Sequence, residues 1–539
     1  MPRSTKPSFV LELPLKVSSK QDSELQSRFN AALRLYNNVL GEAKTRMELV
    51  RKSEAYQAAK GISRDRKKER SDAFKGAREQ KRFTDYDLQS YANKAAKDSK
   101  WIAQKIDAQV QQKLATRAFK AVERVLFGKA KDVRFKVESR FRCIEGKTNK
   151  QGIKWKDNRV MWFGLELPAI IDTENVVNQY SLSCPVKYCR LIRRHLCGKR
   201  RWYCQLVNEG VPYQKPQNYV SDGIVGLDLN VSNIAFVADS HAGLLPFADR
   251  VPTFFKEITR LQRQMQRSQR ANNPNNFEQD FEASIGRKTV VKKGKPKKGK
   301  QQWKKSNNYR KAAKKKRELE RRKTAHAETR NRRVVNEILR HGKHIKTENV
   351  SVKGWQKRYG KAISAKSPGF VQSELKRKAE SANGSFIKFS TQKTALSQTH
   401  LDGRRIKKSL SERVHRDITG IPEHHRDLFS AFLSRHVNQD KLMLRDAQNE
   451  YLRLEPVLLE AYQRHLTRKQ VSPSESRQSD SPSERVSNES LIASQIAESG
   501  EKLALECGVN PRLKRARRVQ KKNTGFTLEA NYVRKHDAA

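Results

Sequence analysis

Residues 223–239 read GIVGLDLNVSNIAFVAD, an apolar strand, a short polar turn and a second apolar strand. The first strand reads as buried, yet Asp228 stands inside it. A lone buried carboxylate is costly, so it requires a proton, a cation partner or a metal. Two more acids occupy comparable positions. Glu348 ends a short strand in IKTENV, and Asp427 opens an amphipathic helix in HHRDLF. Three acids brought from a strand, a strand end and a helix start can hold divalent cations. Two Mg²⁺ ions about 3.5–4 Å apart would activate water and stabilise the leaving oxygen of a phosphodiester. Each acid also has a plainer reading. Asp228 can bond within the Asn230–Asn233 turn, Glu348 can be a surface acid, and Asp427 can cap or complement its helix.

The acids stand out because the chain is so basic. It has 539 residues, with 114 Lys+Arg against 57 Asp+Glu, a net charge of +57. Such a charge repels itself when compact, so the expected partner is a polyanion. The length predicts several domains, and 36% apolar residues supply more than one core. No run of 18 apolar residues exists, so no membrane span is expected, and the N-terminus is not read as a secretory signal. Six cysteines are too few for a disulfide scaffold, which points to the cytoplasm. Cys184, Cys189, Cys197 and Cys204 form no CxxC and read as packed thiols.

Along the chain, residues 8–16 predict a strand. Residues 21–128 predict a helical block, with Leu25, Phe29, Leu33 and Leu40 at helical spacing. Residues 129–215 predict strands, with hairpins turning at Asp157-Asn158 and near Gly198. Together with the N-terminal strand they predict a small β-barrel into which the helical block is inserted. Trp155, Trp162, Phe163, Trp202 and Tyr203 on these hairpins suit either base stacking or the barrel core. From 255 to 341 long basic helices are expected. Between 287 and 323 there are 19 Lys+Arg against Glu318 and Glu320. Lys304, Lys305, Arg310, Lys314, Lys315 and Arg317 are the candidate nucleic-acid contacts; a solvated helix face is the alternative. A helix is expected at 366–381 and a strand at 385–391. A Ser-rich linker is expected over 471–490, and the basic run at 512–522 reads as a further arm or a localisation signal. HRDL at 425–428 lacks the later Asn of a kinase loop, and no phosphate-binding GK[ST] occurs.

VGLDLNVSNIAFV resembles the first RuvC motif of the TnpB family, the transposon-encoded RNA-guided nucleases related to type V CRISPR effectors. KTENVSVKGW resembles the second motif and HRDLFSAFLSR the third. FSTQKTALSQTH, with Ser397-Gln398-Thr399, is similar to the family's SQT step. The resemblance covers about 1–460. It implies a wedge strand at 1–20, a recognition domain at 21–128, a wedge barrel at 129–215, and a RuvC domain of RNase H-like fold at 221–465. It further implies Asp228, Glu348 and Asp427 as catalytic ligands of two Mg²⁺ ions. The implied partners are a guide RNA and target double-stranded DNA, which places the chain at the nucleoid when DNA-bound. Residues 466–539 would form a disordered basic tail.

The chain departs from the family at 392–426, where two Cys pairs of a zinc ribbon would lie. No Cys occurs between Cys204 and Cys507. His400 follows the SQT step, and Asp417 and Gly420 stand near the other expected positions. No zinc is expected, and a site of His400, His415, His424 and His425 is the lesser alternative. The departure also opens a second function, a guided DNA-binding protein that represses or assists transposition without cutting. A miniature type V CRISPR effector would differ only in where its guide originates. A strand-transferring transposase is a weaker reading.

Overall fold

The computed structural model describes residues 7–478, apart from 253, 287, 300, 410 and 411. The described residues form two compact units. The first comprises residues up to 225, with 230–232 and 246–388. The second comprises 226–229, 233–245 and the residues from 389 onward.

The first unit opens with strand β1 (Ser8–Pro14) and helix α1 (Ser19–Lys52). Ser18 and Gln21 form a reciprocal capping box at the start of α1. Its core face is Leu25, Phe29, Ala32, Tyr36, Val39, Ala43, Met47 and Val50. Leu33 is only half-buried, and Leu35 takes the core position instead. Five further helices complete the expected block: α2 (Glu54–Gly61), α3 (Lys67–Gln80), α4 (Asp85–Asp98), α5 (Trp101–Lys105) and α6 (Ala108–Leu126).

Strands β2 (Cys143–Glu145), β3 (Lys154–Lys156), β4 (Arg159–Trp162) and β5 (Leu165–Pro168) follow, then α7 (Val176–Ser183), β6 (Val186–Leu196) and β7 (Lys199–Glu209). Both expected hairpin turns are present. Asp157 and Asn158 have φ of 49° and 57°, and Cys197 and Gly198 have 49° and 77°, as two-residue turns of the primed type demand. The expected barrel is not closed. Instead, one open sheet runs β1-β7-β6-β2 and another β3-β4-β5, joined by a bridge between Leu15 and Ala169. The physical reason is α1, whose side chains fill the concave face. Phe29 meets Trp202 edge-on at 4.9 Å, and buried Arg28 donates to the carbonyls of Trp162 and Phe163.

Strand β8 (Ile224–Leu229) begins in the first unit and ends in the second. It is followed by β9 (Asn233–Val237) and β10 (Ala242–Pro246). Helix α8 (Phe255–Ala271) then packs on α9 (Asn307–Leu339) around Leu261, Ala312 and Leu319. The long basic helices expected over 255–341 are interrupted. Residues 281–292 form an antiparallel ribbon of β11 (Phe281–Ile285) and β12 (Lys288–Lys292). The β-branched residues Ile285, Thr289, Val290 and Val291 on either side of Gly286 favour strands, while Gly294, Pro296 and Gly299 break any helix.

The first unit closes with β13 (His344–Glu348), α10 (Val352–Lys366), α11 (Pro368–Ser381) and β14 (Ser385–Phe389). His344 N–H donates to the Gly223 carbonyl at the foot of β8, and Ser385 N–H to the Lys343 carbonyl. The strand order through β8 is β10-β9-β8-β13-β14.

In the second unit β8 pairs antiparallel with β9, with Asp228 opposite Ala235. Short elements follow: α12 (Thr391–Thr394), β15 (Val414–His415) and β16 (His424–His425). Then come α13 (Arg426–Arg435), β17 (Val437–Asn438), β18 (Lys441–Leu442) and α14 (Leu444–Gln478). All ten residues of α13 are buried, which makes it a core helix rather than the amphipathic helix its sequence pattern implied. The start of the expected Ser-rich linker, 471–478, lies in α14. The rest of that linker and the 512–522 run lie outside the described residues.

Candidate functional site

Gly226 sets the geometry of the second unit. A Cβ there would collide with the Ala431 carbonyl and stand 2.8 Å from Arg435 Cγ and 2.9 Å from its backbone nitrogen. Only glycine lets α13 lie this close to β8. The contact is reinforced by Ser434 Oγ, which donates to the Leu227 carbonyl at 3.3 Å. Asp228 follows two residues later, so it leaves the strand on the face that α13 covers. It is half-buried.

Asp427 lies in the first turn of α13, where the helix dipole favours an anion. The His425 ring Nδ1 accepts its backbone N–H at 3.2 Å. Asp427 is 2% exposed. Arg413 Nη1 stands 3.9 Å from Oδ2 and Arg426 Nε 3.7 Å from Oδ1. β8 and α13 thus bring two of the three expected acids into one unit.

Glu348 ends β13 in the first unit. Burial pushes its carboxyl up to about 7 from an ordinary 4.5. In metal-free buffer an unfolded chain gives up this proton first as pH rises. The folded form is therefore fully favoured below about pH 4.5 and loses about 3 kcal/mol on passing through pH 7. A divalent cation favours the ionised carboxylate and reverses the trend. Mg²⁺ is expected to raise the melting temperature more at pH 8 than at pH 5.5, and Glu348→Gln to erase that difference. Equal Mg²⁺ shifts at both pH values would exclude Glu348 as a ligand.

Over 400–419 the second unit carries a buried hydrogen-bonded knot. His400, His415 and Asp417 have donor atoms within 4.8 Å of one another. Asp417 and both nitrogens of His415 are engaged, while His400 Nε2 is buried with no hydrogen-bond partner among the described residues. Asp417 accepts from His415 Nε2 at 2.8 Å, from Leu401 N at 2.9 Å, and from Thr419 N and Oγ1 at 3.0 and 2.8 Å. His415 Nδ1 meets Lys408 Nζ at 2.6 Å, and His400 Nδ1 accepts from Ile418 N at 3.2 Å. His424 is directed elsewhere, to the Tyr451 hydroxyl at 2.6 Å, and His425 caps α13. The four histidines do not form one ligand set, because His424 and His425 bond away from His400 and His415.

Burial also pushes His424 down to about 4 from 6.5. An unfolded chain takes up this proton first as pH falls. Stability present above about pH 6.5 is lost toward pH 4, by up to about 3 kcal/mol. Urea melts of the second unit are expected to weaken at pH 5 relative to pH 7.5, and less so in His424→Phe. An identical pH slope in that variant would rule out His424 as the cause.

The basic candidates Lys304, Lys305, Arg310, Lys314, Lys315 and Arg317 are all exposed. Lys315 pairs with Glu257 at 2.9 Å. The hairpin aromatics divide. Trp162 and Trp202 are core, with their ring N–H groups donating to Asp107 and Asp22. Phe163 is 52% exposed. Cys189 and Cys204 are packed thiols in the first unit's core, while Cys184 and Cys197 are half-buried. Sequence reasoning missed Gly226 and Arg413; it singled out His400, His415 and Asp417 but not their bonding to one another. Gly226 had a visible signal, a glycine two residues before the strand's only acid. Arg413 had none, because nothing in its own segment points to Asp427 fourteen residues on.

Among the described residues no helix is long and apolar enough to cross a membrane. No family model and no curated protein matches the chain. Among solved structures it is similar to a Cas12f1 chain from a cryo-EM complex with sgRNA and target DNA. Identity is 11%, TM-score 0.44, covering 80% of this chain and 98% of that one. It is also similar to a chain of a CRISPR-Cas12f ternary complex, at 11% identity and TM-score 0.28, covering 79% and 83%.

Proposed function

We propose that this chain is an RNA-guided, Mg²⁺-dependent DNA endonuclease with one RuvC-type site on an RNase H-like domain, similar to TnpB. The observation that carries the reading is Asp228. It is an acid in an apolar strand, on the face against which Gly226 admits α13, and α13 opens on Asp427. The strand order β10-β9-β8-β13-β14 supports the RNase H-like reading. So do the three motifs in their order.

Asp228, Glu348 and Asp427 would hold the ions, an all-oxygen set suited to Mg²⁺. Bound there, Mg²⁺ supplies an activated water and charge stabilisation for phosphodiester hydrolysis. Zinc has no role in this reading. Lys304, Lys305, Arg310, Lys314, Lys315 and Arg317 would contact the phosphates of guide RNA and target DNA, so affinity should fall steeply with salt. Pairing with the guide would supply sequence specificity.

The test is cleavage of a matching duplex by protein purified with its own RNA. Cutting is expected in Mg²⁺ and not in EDTA, and undiminished cutting in EDTA would refute the reading. Sequencing that RNA separates a transposon-end guide from a CRISPR-repeat guide. A second reading, guided binding without cutting, is favoured by the two arginines already beside Asp427. It predicts tight guided binding with no nicking in Mg²⁺.

A further inference from the structure

The β11–β12 ribbon is not used by any part of the proposed reaction, and its construction is unusual. Its register pairs Phe281 with Lys292, Glu282 with Val291, Ala283 with Val290 and Ser284 with Thr289. Phe281 and Val290 therefore share one face, and Glu282, Ser284, Thr289 and Val291 the other. Both faces are exposed: Phe281 is 47%, Val290 42% and Val291 60% accessible. A lone two-stranded ribbon is only marginally stable in water, so one that presents apolar residues on both faces is suited to being covered.

Its base, by contrast, is firmly built. Asn273 is buried and donates to the carbonyls of Gln269 and Lys304, and its own oxygen accepts from Lys304 N at 2.6 Å. Arg270 lies over the Phe277 ring at 4.4 Å and donates to the Gly294 carbonyl at 2.6 Å. Asp280 accepts from Gly294 N at 2.9 Å. A Cβ on Gly294 would collide with the Glu278 carbonyl, so glycine is required there. The ribbon is thus a projection fixed to the α8–α9 helix pair rather than a loose arm.

Residues 281–305 carry ten Lys+Arg against Glu282 alone. We propose that this ribbon inserts into the major groove of duplex DNA. The B-form major groove accepts a two-stranded ribbon, whereas the A-form major groove is too deep and narrow. On the face of Ser284, Thr289 and Val291 the short side chains allow close approach to base edges. The Ser and Thr hydroxyls can bond to them, and the Val methyls suit a thymine methyl. Lys292 and Lys295 reach the flanking phosphates. The inference rests on the reading above only in taking DNA as a ligand, and it needs neither the acids nor cleavage.

The test uses full-length protein with its co-purified RNA. Wild type is compared with a variant whose residues 282–291 are replaced by a Gly-Ser turn, and with Thr289→Glu/Val291→Glu, which alters exposed positions only. Binding is followed by anisotropy on a DNA duplex, the same sequence as duplex RNA, and single-stranded DNA. Dimethyl sulfate footprinting reports guanine N7 in the major groove. Wild type is expected to protect N7 over a few base pairs. Both variants should lose that protection and about tenfold in duplex DNA affinity, with the other two ligands unchanged. Retained protection, or an equal loss on all three ligands, would overturn the inference. A loss confined to duplex RNA would assign the ribbon to RNA and overturn it too. Because the readout is binding, a chain that never cuts DNA can still pass this test, and a nuclease can fail it.

Discussion

Asp228→Ala is expected to reduce Mg²⁺-dependent cleavage of guided DNA by at least about a thousandfold, some 4 kcal/mol of barrier, while leaving RNA binding intact. The same change carries a second signature. Asp228 is a half-buried carboxylate in an otherwise apolar strand. Removing a charge kept in such a place for function should leave metal-free stability unchanged or higher. Loss of cutting without loss of melting temperature in EDTA therefore marks a ligand. Loss of both marks a structural acid, and a wild-type cutting rate removes Asp228 from the site. Asp228→Asn keeps the shape and should behave as Ala does in activity, since an amide cannot replace the carboxylate charge on the cation.

Gly226→Ala is expected to destabilise the second unit by about 3 kcal/mol or more, among the larger costs of overpacking. The added methyl meets backbone, the Ala431 carbonyl and Arg435 N, rather than the movable end of a side chain. Helix α13 cannot retreat cheaply, because all ten of its residues are packed. Two controls bracket the effect. Gly243→Ala would meet the Phe236 ring edge at 2.9 Å, and a ring edge can shift. Gly76→Ala, in α3 with nothing within 4 Å, should instead stabilise by about 0.5–1 kcal/mol through helix propensity. Limited proteolysis and thermal melting read all three. An unchanged melt for Gly226→Ala would contradict the close approach of β8 and α13. Cleavage should fall with the melt, because the same strand carries Asp228.

These expectations also show where the sequence was legible. Both hairpin turns were readable because Asp157-Asn158 and Gly198 are residues that tolerate positive φ. The strands ending at Leu229 and Glu348 and the helix opening at Arg426 were readable because their apolar runs are short and bounded. The barrel was misjudged because closure depends on what fills the concave face, and Phe29 and Arg28 of α1 fill it from a distant part of the chain. The ribbon at 281–292 was hidden by charge. Its lysines made the whole stretch read as basic helix, although Gly286 and Gly294 already broke the pattern.

For the chemistry, the sequence alone determined which acids are anomalous, because a carboxylate in an apolar strand is conspicuous in a chain of net charge +57. It also determined that cysteine ligands are absent from 392–426. Only the tertiary structure decided what stands there instead. Asp417 spends its oxygens on His415 and Thr419, two residues to either side, and on the Leu401 N–H sixteen residues away, which only folding brings to it. Only the tertiary structure, too, decided that Gly226 is where α13 touches β8. The pattern of a strand records which residues are apolar, but the distance at which a helix may approach is set by the partner's backbone, 205 positions further along at Ala431.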